Sequence, residues 1–134
     1  MTTRRRARRE AVEVCYEADI KGTDAVALLG ERPRELDPYA VEVINGVATH
    51  RAEIDAELGS AAKDWTVERM PSVDRAILRV AVWELRFGTD APTASVIDEA
   101  VQAAKELSTD DSGRFINGVL GTIARTTPEG SAGS

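Results

Sequence analysis

Apolar residues in this chain return every three or four positions, segment after segment, and that period admits helices and little else. In residues 3–20 the stripe is Ala7, Ala11, Val14, Cys15 and Ala18. Residues 73–87 are the most apolar segment. Residues 95–107 carry Ile97, Ala100, Val101, Ala104 and Leu107, and the last segment carries Phe115, Ile116, Val119, Leu120 and Ile123. Gly and Pro are sparse inside these stretches, alanine is common, and aromatics are only 4% of the chain, a mix that favours helices over sheets. No alternating strand pattern and no internal repeat stands out.

Local signals place the boundaries. Gly22 ends the first helix, and Thr23 can cap a short second one carrying Val26, Leu28 and Leu29. Residues 33–36 form a connector. Asp37 followed by Pro38 is a strong helix start, a carboxylate cap and then proline at the first helical position. That third helix is expected to run to Leu58, with Val43, Val47 and Ile54 on one face, until Gly59 and Ser60 break it. Thr66 caps a short turn, and Pro71 and Ser72 open the long apolar helix. Residues 88–93 form a loop, and Ser95, with Asp98 three residues on, caps the next helix as a capping-box variant. The expected fold is all-α: about seven helices in two small helical bundles (residues 3–58 and 64–126) that form one compact domain over 1–134, with a frayed tail at 127–134. Short loops between helices favour packed antiparallel neighbours.

Charge is distributed unevenly. The first nine residues hold Arg4, Arg5, Arg6, Arg8 and Arg9 and no acid, in a chain whose net charge is −6. Without these five, 12 bases face 23 acids. Such a body is a poor general polyanion binder. Screening confines charge effects to about 10 Å at moderate salt, so one basic arm can still hold a phosphate backbone locally. Arginine also offers a planar fork for phosphate and stacks on bases. Positive charge at a helix N-terminus opposes the helix dipole at a few tenths of a kcal/mol per residue, which argues against a purely stabilising role.

Catalytic chemistry has little to stand on. His50 is the sole histidine and lies on the apolar side of its helix, where a structural role fits best. Cys15 is the sole cysteine, so no intrachain disulfide can form. There is no Cys/His cluster for a metal, no phosphate-binding glycine loop and no dinucleotide turn, so neither a cofactor nor an enzymatic role is expected. Gly118 and Gly121 match the GxxG of KH domains in letters only, and close helix packing explains them better. Asp110 and Asp111 read as helix-capping acids. No apolar run approaches the ~20 residues that span a bilayer, and no apolar segment follows the charged start, so a cytoplasmic protein is expected. At 100° per residue, Arg75, Arg79 and Arg86 fall within about 40° of one another, with Glu84 opposite. This face could dock RNA or an acidic partner, or its arginines could pair with acids elsewhere in the chain.

Four segments then form a pattern: residues 4–12 (RRRARREAV), 73–85 (VDRAILRVAVWEL), 96–107 (VIDEAVQAAKEL) and 110–120 (DDSGRFINGVL). In order and spacing the chain closely resembles the bacterial NusB family of transcription antitermination factors, over about residues 4–124. The resemblance implies an all-helical, non-catalytic protein. It implies binding to the boxA element of nascent rRNA together with NusE, a small-subunit ribosomal protein, and action on elongating RNA polymerase within an antitermination complex. It implies that Arg4, Arg5 and Arg8 contact the RNA backbone and that Phe115, with Arg114 beside it, is an RNA-contacting position. Phe115 also fits the apolar stripe, so core packing stays open. Asp111 matches a position whose charge affects RNA affinity. Arg75 and Glu84 lie on a helix the family uses partly for its partners. Gly113 stands where a larger, sometimes basic residue can occur, and the acidic body implies dependence on NusE. Some family members dimerise over the RNA surface, which leaves monomer or homodimer open. The rival reading is a protein–protein adaptor without direct RNA binding, docking through Arg75, Arg79 and Arg86.

Overall fold

Helix α5 (Ser72–Phe87) is the centre of the molecule. Every residue from 74 to 84 except Arg75 is buried, the signature of a helix covered on all sides. Around it pack α1 (Thr3–Lys21), α3 (Pro38–Thr49), α4 (Arg51–Ala61), α6 (Thr93–Leu107) and α7 (Asp110–Arg125), while the short α2 (Ala25–Leu29) bridges α1 and α3. A single turn of 3-10 helix, Val67–Arg69, joins α4 to α5. The computed structural model describes residues 3–31, 36–63, 65–88 and 91–126. Among these all regular structure is helical, and no helix is long and apolar enough to cross a membrane. Most of the expected connector at 33–36, part of the 88–93 loop and the 127–134 tail lie outside the described residues.

The first stop signal works as read, and it moves the next start. Gly22 adopts φ +67°, while its N–H bonds the Asp19 carbonyl and the Thr23 N–H bonds the Ala18 carbonyl. This paired closure occupies Thr23, so the cap of α2 is Asp24, whose Oδ1 accepts from the Val26 N–H at 2.8 Å. Asp37 caps α3 as expected, accepting from the Tyr39 N–H at 2.8 Å.

The third helix does not run through to Leu58. His50 leaves helical geometry (φ −108°, ψ 21°) and divides it into α3 and α4. No proline or glycine marks the spot. A tertiary contact holds it: the His50 ring stacks on Phe87 at 3.8 Å between centroids and 14° between planes. Gly59 and Ser60, expected to end the helix, lie inside α4. Likewise α6 starts at Thr93, directly after Pro92, rather than at a Ser95 cap, because proline pre-sets the φ of the entering turn. Its buried face is Val96, Ala100, Ala103 and Ala104, and Leu107 is exposed.

Two glycines in helices meet opposite surroundings. A Cβ on Gly46 would overlap the Trp83 indole, a rigid ring with no flexible end to yield, whereas a Cβ on Gly59 meets nothing within 4 Å. Gly118 is equally open, so its presence does not reflect the close helix packing expected of it. Gly46→Ala should cost about 1–3 kcal/mol, overpacking outweighing the ~1 kcal/mol of helix propensity gained. Gly59→Ala should gain up to about 1 kcal/mol. Urea denaturation of the two variants checks both signs.

Candidate RNA-binding site

The arginine arm is helical from Thr3 onward, so its side chains form two stripes, Arg4 with Arg8 and Arg5 with Arg9, the members of each one turn apart. Arg4 and Arg8 face α3 and α5. The Arg4 guanidinium lies 3.7 Å over the Tyr39 ring. Arg8 Nε donates to both carboxylate oxygens of Glu84 at 2.8 and 2.7 Å, and the Tyr39 hydroxyl donates to the same carboxylate at 2.6 Å. Burial, and then the bond to Glu84, push the Tyr39 hydroxyl up to about 12, so it remains a donor at neutral pH. Arg5 and Arg9 form the second stripe against α6. Arg5 pairs with Glu99 at 3.2 Å and Glu106 at 3.7 Å, and Arg9 pairs with Glu106 at 2.7 Å. Hydrogen bonds from Arg9 and Gln102 hold the Glu106 carboxyl below its ordinary range. Arg6 is exposed and makes no ion pair with a described residue.

The last turn of α6 connects this arm to the start of α7. The Lys105 side chain lies over Gly113, where an added Cβ would come within 3.1 Å of its Cγ. Gly113 therefore makes room for a lysine from the neighbouring helix. Thr109 caps α7 by accepting from the Ser112 N–H at 3.0 Å, and Asp110 and Asp111 sit in the first turn, where the dipole favours acids. Asp111 and Arg114 form an ion pair whose side chains are 85% and 75% exposed. Phe115 is half-buried against the core, and its ring lies 6.1 Å from that of Trp65 between centroids. Beneath this turn lies the buried Asp74 carboxylate, close to the hydroxyls of Ser112 and Ser108, with its Oδ1 making no hydrogen bond among the described residues.

The four residues expected at a partner surface are committed inside the fold. Arg75 holds Asp19 and donates to the Val67 and Glu68 carbonyls at 2.9 and 3.1 Å. Arg79 makes a two-pronged pair with Asp55, both bonds 2.9 Å, and its side chain is only 8% exposed. Arg86 pairs with Glu57 at 2.7 Å and donates to the carbonyls of Ile123 and Thr126. Glu84 is the buried carboxylate that holds Arg8. The arginine face of α5 thus binds the acids of α1 and α4 instead of opening to solvent. Arg8, expected on RNA, has a side chain 14% exposed and works as a strut that fixes the arm. Tyr39, Trp65 and Asp74 were not singled out from the sequence. An acid inside the most apolar segment was the available signal for Asp74, whereas Tyr39 and Trp65 gain their meaning only from contacts with distant residues. Among the described residues no cluster of metal-ligating side chains occurs.

The NusB family model matches residues 5–125. The chain is 51% identical over 142 residues to the transcription antitermination protein NusB of Beutenbergia cavernae, covering 96% of this chain and 93% of that one. Among solved structures it is similar to T. maritima NusB, with a TM-score of 0.84 and 33% identity over 93% of this chain and 92% of that one. It is also similar to a NusB solved with NusE and double-stranded RNA, with a TM-score of 0.80 and 28% identity over 93% and 98% of the two chains.

Two buried charges can be tested by substitution. Arg8→Ala strands the Glu84 carboxylate and should cost about 3 kcal/mol, whereas Arg6→Ala should stay within about 0.5 kcal/mol of wild type in chemical denaturation. Burial raises the Asp74 carboxyl above its ordinary range, outweighing the Ser112 and Ser108 bonds that lower it. A raised native pKa favours folding while the group is protonated, and that contribution is lost as pH rises through the native value. Asp74→Asn should therefore compare best with wild type at neutral pH, and its relative melting temperature should fall as the medium is acidified.

With its seven helices, its arginine-led α1 and matches that run nearly end to end, this chain belongs to the NusB family, a non-enzymatic family of transcription antitermination proteins.

Proposed function

We propose that this protein binds the boxA element of nascent rRNA transcripts together with NusE and supports processive transcription by RNA polymerase. The observation that carries this reading is a helical basic arm joined, through the last turn of α6, to the exposed Arg114 and the half-buried Phe115 on α7. Arg4 and Arg5 supply phosphate contacts, Arg8 sets their position from within, and Arg114 and Phe115 receive the RNA at the other end. The related NusB solved with NusE and double-stranded RNA supports a shared partner set. The adaptor reading loses its docking face, since Arg75, Arg79 and Arg86 are bonded to Asp19, Asp55 and Glu57.

Arg5, Arg8 and Arg9 already have acidic partners, so RNA binding exchanges a carboxylate for a phosphate at Arg5. Each single-strand phosphate contact adds a salt slope of about −0.7, giving a ceiling near −3.5 for five arginines. With Arg8 held by Glu84, the observed slope should be shallower. Asp111 repels phosphate and also occupies Arg114. Asp111→Asn removes both effects and should tighten RNA binding roughly two- to fivefold, as expected for one exposed charge pair. Fluorescence anisotropy with a boxA-like RNA and a scrambled control, with and without NusE, tests the whole reading. Preferential boxA binding, tightened by NusE and by Asp111→Asn, is expected; equal binding of both RNAs, or none with NusE present, overturns it.

A further inference from the structure

The Trp65 ring is a large apolar surface left in solvent beside the proposed RNA site. It is 45% exposed, while the chain's other tryptophan, Trp83, is 5% exposed. The Trp65 backbone N–H donates to the Ala62 carbonyl at 3.2 Å and fixes the chain where it leaves α4. Its ring meets Phe115 at 51° and covers only part of itself in doing so. Lys63 and Trp65 line one open groove, together with Thr66 and the acids Asp55 and Glu68, and the exposed Arg114 stands next to Phe115.

We propose that Trp65 is a second base-stacking platform, which extends the RNA path from Phe115 past the start of α7. This rests on the RNA-binding reading above. The occupant is an unpaired base of single-stranded RNA. Two aromatic rings, with Lys63 in the groove beside Trp65 and Arg114 directly before Phe115 on α7, suit a nucleotide, which needs a π-face for its base and a cation for its phosphate. An apolar peptide helix would need a stripe of anchors, and among the described residues the other exposed large apolar side chains lie on α1, α2 and α6. Continuity with Phe115 sets the order of contacts: the arm, then Phe115, then Trp65.

The test uses the full chain with NusE and a boxA-like RNA. Trp65→Leu keeps apolar packing on Phe115 and removes the stacking surface. It should weaken RNA binding roughly 5- to 150-fold, the range for loss of one stacked base. Its melting temperature and NusE affinity should be unchanged. In the wild type, RNA should quench tryptophan emission and protect it from acrylamide, and the buried Trp83 should contribute no such response. These two emission changes decide the matter even if the leucine variant fails to fold. Wild-type binding with unaltered emission and undiminished affinity in Trp65→Leu overturns the proposal while leaving the RNA reading intact, and makes Trp65 a cover for Phe115. Absence of any RNA binding by the wild type overturns both.

Discussion

A helix buried on every side should be apolar, yet α5 carries Asp74, Arg79 and Glu84 in its covered stretch and Arg75 and Arg86 at its margins. Each needs a partner, because an unpaired charge in the interior costs several kcal/mol. The partners lie on different elements: Asp19 on α1, Asp55 and Glu57 on α4, Arg8 and Tyr39 on α1 and α3, and Ser112 on α7. The other helices can therefore sit around α5 in few ways, since a slipped register would strand a charge. Replacing such pairs with well-packed apolar residues is often neutral for stability, so their contribution here is better described as orientation than as net energy.

The same arrangement explains how an acidic protein carries a usable basic arm. Glu84 holds Arg8 from below, and Glu99 and Glu106 hold Arg5 and Arg9 from the side. The arm is ordered before any ligand arrives, so binding does not have to order a floppy segment. The cost is competition: each carboxylate on α6 must be displaced or shared. An arm so balanced suits a protein that acts jointly with a partner, since the added surface can tip an exchange that is nearly even by itself.

Much of this fold was legible in the sequence because it follows from local periodicity and caps. The stripes of α1, α5 and α7, the stop at Gly22 and the start at Asp37-Pro38 are all written within a few residues of where they act. The break at His50 was not legible, because it depends on Phe87 in another helix. The arginine face of α5 was visible as a face, but whether it met solvent or acid depended on where α4 lay. In the fold its arginines meet the acids of α1 and α4. Around the candidate site, Arg4, Arg5, Arg114 and Phe115 were identifiable from sequence, whereas the strut at Glu84 and Tyr39 and the exposed ring of Trp65 exist only once distant segments meet.

Arg86 donates to the carbonyls of Ile123 and Thr126 at the last turn of α7, where the Ile123 carbonyl also accepts the Thr126 N–H at 3.0 Å. A cation there also complements the negative end of the helix. A side chain 37 residues upstream of Ile123 thus ties the end of α7 to the central helix. A domain fused after Thr126 would therefore pull on α5 as well as on α7, because Arg86 carries the load from one helix to the other.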